Sequence, residues 1–202
     1  MAFTFFFRDM QTLEFIVESV LPYLKTRRYI RVWDAGCAMG PEPYSLAIMI
    51  RENMGGFLFR NVKIDATDID ESNQFAEIVK KGIYQEEILK RIPKDIFKRY
   101  FSPLNDSGQF QVKEEIRKAV CFQRHDLLSL KPVRDGFGLV LCKNVLLHFK
   151  PEERITVIRM FHNALADDGF FVTEQTQKLP AEVSYLFERV TSNGQVFRKV
   201  PV

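Results

Sequence analysis

Residues 31–45 read RVWDAGCAMGPEPYS, an apolar run that passes through a small-residue turn into the start of a helix. Ile30, Val32 and Trp33 are strand formers. Gly36 and Gly40 permit tight turning and close backbone approach, and Pro43 suits the first turn of a helix continuing through Tyr44, Leu46, Ala47 and Ile48. Strand, turn and helix in that order make the opening unit of an α/β sheet, and the backbone of such a turn can touch a nucleotide-like group. The glycines also fit a packed corner that holds no ligand.

The spacing is D-x-G-x-x-x-G and not G-x-G-x-x-G. It is weak evidence for a dinucleotide and suits S-adenosyl-L-methionine better, whose single adenosine and amino-acid tail need no pyrophosphate cradle. Downstream, Val62, Ile64 and Ala66 alternate with Lys63, Asp65 and Thr67 before Asp68, Ile69 and Asp70. A second strand therefore ends in acid, where a carboxylate can accept both ribose hydroxyls. Asp68 is placed for this and Asp70 competes, although Asp70 equally suits a cap on the helix carrying Phe75, Ile78 and Val79. A further apolar strand over 137–142 runs into Lys143, Asn144, Val145, Leu146, Leu147, His148 and Phe149. Open parallel sheets bind ligands outside the carboxyl ends of their strands, so Asn144 and His148 are expected on the same rim as Gly36 and Asp68.

The whole chain has 202 residues, enough for one α/β domain with a real core and too few for two. Its hydrophobic content of 46% and charged content of 27% are those of a soluble globular protein. Phenylalanines cluster at Phe3, Phe5, Phe6 and Phe7, but Arg8 and Asp9 end that run far short of the roughly 20 residues a membrane span needs. No secretory signal is visible, and Cys37, Cys121 and Cys142 are widely spaced without a metal-ligand pattern. Reduced thiols in the cytoplasm, no metal and no membrane insertion are the expectation. A net charge of +3 is too small to argue for nucleic acid, and the cluster of Lys25, Arg27, Arg28 and Arg31 reads as a solvated loop.

Strands alternate with helices in the manner of a parallel sheet covered on both faces. Helices are expected over 11–24, 43–54, to Lys81 and over 152–165, with short helical pieces at 86–90 and 94–101. Pro103, Asn105, Asp106, Ser107 and Gly108 form a turn cluster. It predicts a small β insertion at about 101–118 before a strand over 119–124. Asp167, Asp168 and Gly169 are expected to turn between a helix and a strand over 170–174. Segments 185–190 and 195–199 flank Ser192, Asn193 and Gly194 as a closing antiparallel hairpin. By analogy of fold, the outline resembles a Rossmann-like class I methyltransferase sheet, mostly parallel with a C-terminal antiparallel hairpin, and a single domain over 1–202 is expected.

Several segments in order resemble the CheR-type family, S-adenosylmethionine-dependent methyltransferases that esterify glutamate side chains of bacterial chemoreceptors. Thr4, Phe6, Phe7 and Arg8 resemble its T-x-F-F-R segment, and residues 31–45 resemble its R-V-W-x-A-x-x-x-x-G-x-E-P-Y-S turn. Residues 66–70 are similar to its A-T/S-D-I-D strand end, 126–128 to its N-L-L turn, and 143–149 to its R-N-V-x-I-Y-F loop. The resemblance implies S-adenosyl-L-methionine as cofactor and S-adenosyl-L-homocysteine as product. It implies that Thr4, Arg8, Glu42, Asp68, Asp126, Leu127, Lys143 and Asn144, with Gly36 in the turn, surround that cofactor. Arg8 and His148 are then the catalytic pair beside the transferring methyl.

The chain departs from the family at Pro41, where the family has an acid, at Asp126 for asparagine, at Lys143 for arginine and at His148 for tyrosine. Ala2 stands where the family often has an asparagine. The family's amino-terminal helical domain is not matched. The implied partner is a protein substrate, the cytoplasmic domain of a chemoreceptor, and the insertion corresponds to a β-subdomain that in some relatives accepts a receptor tail as an added strand. A cofactor-binding module with weak or no turnover, or a methyltransferase with a different acceptor, is the alternative.

Overall fold

A computed structural model describes residues 4–104 and 108–201. The expectations for Ala2 and Phe3, and for Asn105, Asp106 and Ser107 in the turn cluster, lie outside the described residues. In chain order the elements are α1 (Met10–Phe15), a π turn (Ile16–Val20), α2 (Leu21–Leu24), β1 (Ile30–Ala35), α3 (Pro41–Phe59), β2 (Val62–Asp68) and α4 (Phe75–Lys81). They continue with β3 (Ile83–Gln85), α5 (Glu86–Leu89), α6 (Lys94–Tyr100), β4 (Phe101–Pro103), β5 (Gln109–Val112), α7 (Glu114–Arg117) and β6 (Val120–Arg124). Last come β7 (Phe137–Cys142), α8 (Pro151–Ala164), β8 (Leu165–Thr173), α9 (Ala181–Ser184), β9 (Phe187–Arg189) and β10 (Val196–Lys199).

The main sheet has seven strands in the order β6-β2-β1-β7-β8-β10-β9. The first five are parallel and β10 pairs antiparallel with both β8 and β9, so the mostly parallel sheet with a terminal hairpin is present. Every residue of β7 is buried and all of β1 except Arg31 is buried, because helices cover both faces. Val32, Leu139 and Leu141 join a core with α1 to α3, while Trp33, Val140 and Phe171 join a second core with α8 on the other face. The order in which strands are added reverses between β1 and β7, which run parallel, and the crevice that this leaves at their carboxyl ends is the expected ligand position.

Four expectations need correction. The single helix over 11–24 is interrupted by the wider turn at Ile16–Val20. The helix expected over 43–54 begins at Pro41, because Gly40 takes a left-handed backbone (φ 98°) that lets Pro41 open the first turn, and it is broken near its end at Gly55 (φ 78°, ψ 160°). The insertion is larger than 101–118. A second antiparallel sheet of order β3-β5-β4 begins at Ile83, and three residues are too few for alternation to register in the sequence. Asp167, Asp168 and Gly169 do not turn. They lie inside β8 as a bulge, where pairing jumps from Phe137 with Leu165 to Leu139 with Phe170. Arg27 pairs with Asp168, and Lys199 Nζ donates to the Leu165 carbonyl at 2.9 Å, so the bulge is tied to its neighbours.

The second sheet bears on the site through one ring. Phe6 is fully buried and packs edge-on against Tyr84 and Phe101, with centroids 5.0 and 5.2 Å away. Phe7 N donates to Ser45 Oγ at 2.8 Å. These contacts hold the segment bearing Thr4 and Arg8 over the start of α3. Among the described residues no helix is long and apolar enough to cross a membrane.

Candidate functional site

A cavity of about 620 Å³ opens at the carboxyl ends of β1, β2, β6 and β7. All ten residues singled out from the sequence line it: Thr4, Arg8, Gly36, Glu42, Asp68, Asp126, Leu127, Lys143, Asn144 and His148. Its size is that of a small-molecule site, for which about 300 to 1,000 Å³ is usual.

The turn after β1 is pinned to β2, with Gly36 N and Cys37 N both donating to the Thr67 carbonyl at 2.8 and 2.9 Å. Gly36 has φ 107°, and a Cβ there would sit 2.0 Å from Val145 Cγ2, so only glycine lets the loop after β7 come this close. Asp68 lies one strand over. Its Oδ2 accepts from Ala38 N at 2.9 Å and its Oδ1 from Asp70 N at 3.2 Å, leaving lone pairs on both oxygens toward the cavity. Asp70 is buried and turned away. Its carboxylate accepts from Gln74 N and Phe75 N at 3.1 Å each and from Ser72 Oγ at 3.0 Å, which caps α4. Of the two acids, Asp68 lines the cavity and Asp70 caps the helix.

At the opposite end the Lys143 side chain is fully buried. Its Nζ lies 2.9 Å from Glu42 Oε2 and 3.5 Å from Asp9 Oδ2, and it donates to the Arg8 carbonyl at 3.3 Å. Burial opposes the charge on Lys143, but Glu42 and Asp9 outweigh it and raise its pKa above the ordinary lysine value. Arg8 Nε stands 3.9 Å from Asp9 Oδ2. Asn144 takes a left-handed backbone (φ 57°), and its N–H donates to Glu174 Oε2 at 3.0 Å. Asp126 Oδ1 accepts from Leu128 N at 2.9 Å and opens a 3-10 turn, so its other oxygen is unused by the turn. His148 is exposed at the mouth beside exposed Leu147, with Ile69 and Leu128 also exposed on the lining. Burial, reinforced by the charges of Asp68 and Glu42, pushes the Cys37 thiol up.

Sequence reasoning missed Asp9, Asp34 and Glu174. Asp9 follows the T-x-F-F-R segment and meets Lys143 only through the fold. Glu174 lies 30 residues from its partner Asn144. Asp34 carried a signal, an acid inside an apolar strand, and was read only as a position in the turn pattern.

The donor set fits S-adenosylmethionine. Two carboxylates stand at separate ends of the cavity, one against backbone N–H groups and one against a buried lysine, with apolar side chains at the mouth. Hydroxyls and an ammonium are the groups those acceptors take, and the glycine turn leaves backbone open between them.

A sequence profile described as CheR methyltransferase, SAM binding domain, matches residues 2–196. A chemotaxis protein methyltransferase of Borreliella burgdorferi is 33% identical over 87% of this chain and 64% of its own length. A probable chemotaxis protein methyltransferase of Rhizobium etli is 27% identical over 93% of this chain and 72% of its own. The chain thus spans about two thirds of these curated relatives. Among solved structures, a TehB-like SAM-dependent methyltransferase from Corynebacterium glutamicum is 16% identical, covers 90% of this chain and 85% of that one, and has a TM-score of 0.47.

Proposed function

The chain belongs to the CheR methyltransferase family, in its SAM-binding domain, and from that premise we propose that it transfers a methyl group from S-adenosylmethionine to glutamate side chains of a chemoreceptor. One observation carries this reading: the ten residues drawn from five separate stretches of sequence line one cavity with an acceptor at each end.

In this reading Asp68 accepts from the two ribose hydroxyls, and the free oxygen of Asp126 accepts from the amino edge of adenine beside Leu127. Glu42, steadied by Lys143, accepts from the ammonium of the methionine tail, and Thr4 and Asn144 close the remaining polar edge. When bound, S-adenosylmethionine supplies a methyl group activated by a sulfonium. A glutamate side chain with a pKa of about 4.3 is already ionised at neutral pH, so its carboxylate needs no general base. The protein's task is positioning and exclusion of water. Arg8 orients the incoming carboxylate through its guanidinium, and His148 hydrogen-bonds the substrate from the mouth. The clamp must be loose, because attack neutralises the acceptor's charge and a tight ion pair would favour the ground state.

Methyl-labelled S-adenosylmethionine incubated with the protein and cytoplasmic fragments of chemoreceptors tests the proposal. Base-labile label on the fragments, lost when their acceptor glutamates are replaced by alanine, is expected. Base-stable label, or none while the cofactor binds, would overturn it.

A further inference from the structure

Asp34 sits at the centre of the sheet, on β1 between β2 and β7, and is fully buried. Neither of its carboxyl oxygens has a hydrogen-bond partner, and neither does Glu42 Oε1, the oxygen that Lys143 does not take. Glu42 is the charged neighbour that most opposes ionisation of Asp34. An isolated ionised carboxylate with no donor is among the most costly things to bury, and two carboxylates sharing a site cannot both stay ionised. Lys143 neutralises one charge, and a proton is the simplest way to remove the other.

We propose that Asp34 is a positioning residue, a neutral carboxylic acid whose proton is donated to Glu42 Oε1 and so fixes the direction in which Glu42 faces the cavity. The hydrogen bond satisfies the orphan oxygens of both residues and leaves Glu42 a further lone pair on each oxygen. The groups that face Asp34 agree with a neutral acid. Glu42 on α3 and Asp68 on β2 oppose a negative charge there, and Lys143 after β7, which favours one, is already paired with Glu42. The thiols of Cys37 and Cys142 flank it and are held protonated by burial and by the surrounding acids. The consequence for the cofactor rests on the reading of Glu42 as the acceptor for its ammonium: a fixed Glu42 meets that group without first being oriented.

Infrared difference spectra of the wild type against Asp34→Asn test the proton, and calorimetric titration with S-adenosylhomocysteine tests its effect. The expected spectrum has a protonated-carboxyl band at neutral pH that Asp34→Asn removes. Asparagine keeps a donor toward Glu42, so that variant is expected to bind within about twofold of the wild type, whereas Asp34→Ala binds about tenfold or more weakly. No such band, or equal weakening by asparagine and alanine, would overturn the proposal while leaving the cofactor reading intact. A band in a wild type that binds no adenosyl compound would overturn the cofactor reading and leave the hydrogen bond standing.

Discussion

At Asp68 a carboxylate is held by backbone N–H groups of Ala38 and Asp70, one from the glycine turn and one two residues away, whereas at Lys143 charge is held by side chains. Those side chains come from separate stretches: Asp9 before α1, Glu42 on α3 and Lys143 in the loop after β7. The first end is built within one strand-helix-strand unit, by the turn after β1 and the terminus of β2. The second exists only when distant segments have packed, and it is buried, so its charges must balance. One end should therefore tolerate change with local effects, and the other should answer with the stability of the whole fold.

The largest effect is expected at the buried end. Lys143→Met leaves Glu42 unpaired in a site with little water and should cost about 3 to 5 kcal/mol in urea unfolding, the range for breaking a buried pair from one side. A loss under about 1 kcal/mol, the worth of an exposed pair, would erase the contrast.

The same end should give the protein a pH dependence. Burial, reinforced by the charge of Glu42, raises the Asp34 pKa well above the ordinary carboxylate range. The unfolded value is about 3.9, so at pH values between the two the native state holds a proton that the unfolded state has lost. Stability from this group is fully present below the unfolded value and falls as pH rises toward the native one, by up to about 1.4 kcal/mol per unit. Asp34→Asn has nothing to titrate, so the difference in unfolding free energy between wild type and variant should narrow or reverse with rising pH across that window. A difference independent of pH would mean that Asp34 is charged in both states.

His148 belongs to neither end. Its replacement by phenylalanine should lower the methylation rate about tenfold, within the span of a single positioned hydrogen bond, and leave S-adenosylhomocysteine affinity nearly unchanged. Equal loss of both would remove it from the reacting centre.

The smallest effect sharpens the local end. Asp70→Ala should cost about 1 kcal/mol of stability through the lost cap on α4 and change cofactor affinity less than twofold. A larger affinity change would mean that Asp70 shares the role of Asp68.

Local features were legible in the sequence and non-local ones were not. The glycine turn, the acid ending β2 and the loop after β7 each lie within a few residues of the signal that marks them, and the parallel sheet follows from their order. The sequence favoured Asp68 for the cavity and offered Asp70 as a helix cap, and the backbone turns Asp70 onto Gln74 and Phe75. Strand β3 escaped notice because three residues cannot display alternation. The bulge in β8 was read as a turn because Asp167, Asp168 and Gly169 have turn chemistry, which sheet pairing and the Arg27 ion pair override. Asp9, Asp34 and Glu174 act through partners up to 134 residues away, as in the Asp9–Lys143 pair, and spacing carries no trace of that.

The most direct test of the account is a calorimetric titration of S-adenosylhomocysteine into the wild type and into Asp68→Ala. One saturable site in the wild type, weakened by about tenfold or more in a variant whose unfolding midpoint is little changed, is the predicted result. No binding to the wild type, or binding indifferent to the loss of Asp68, would contradict the claim that the glycine turn, the acid beside it and the asparagine loop meet on one adenosyl ligand.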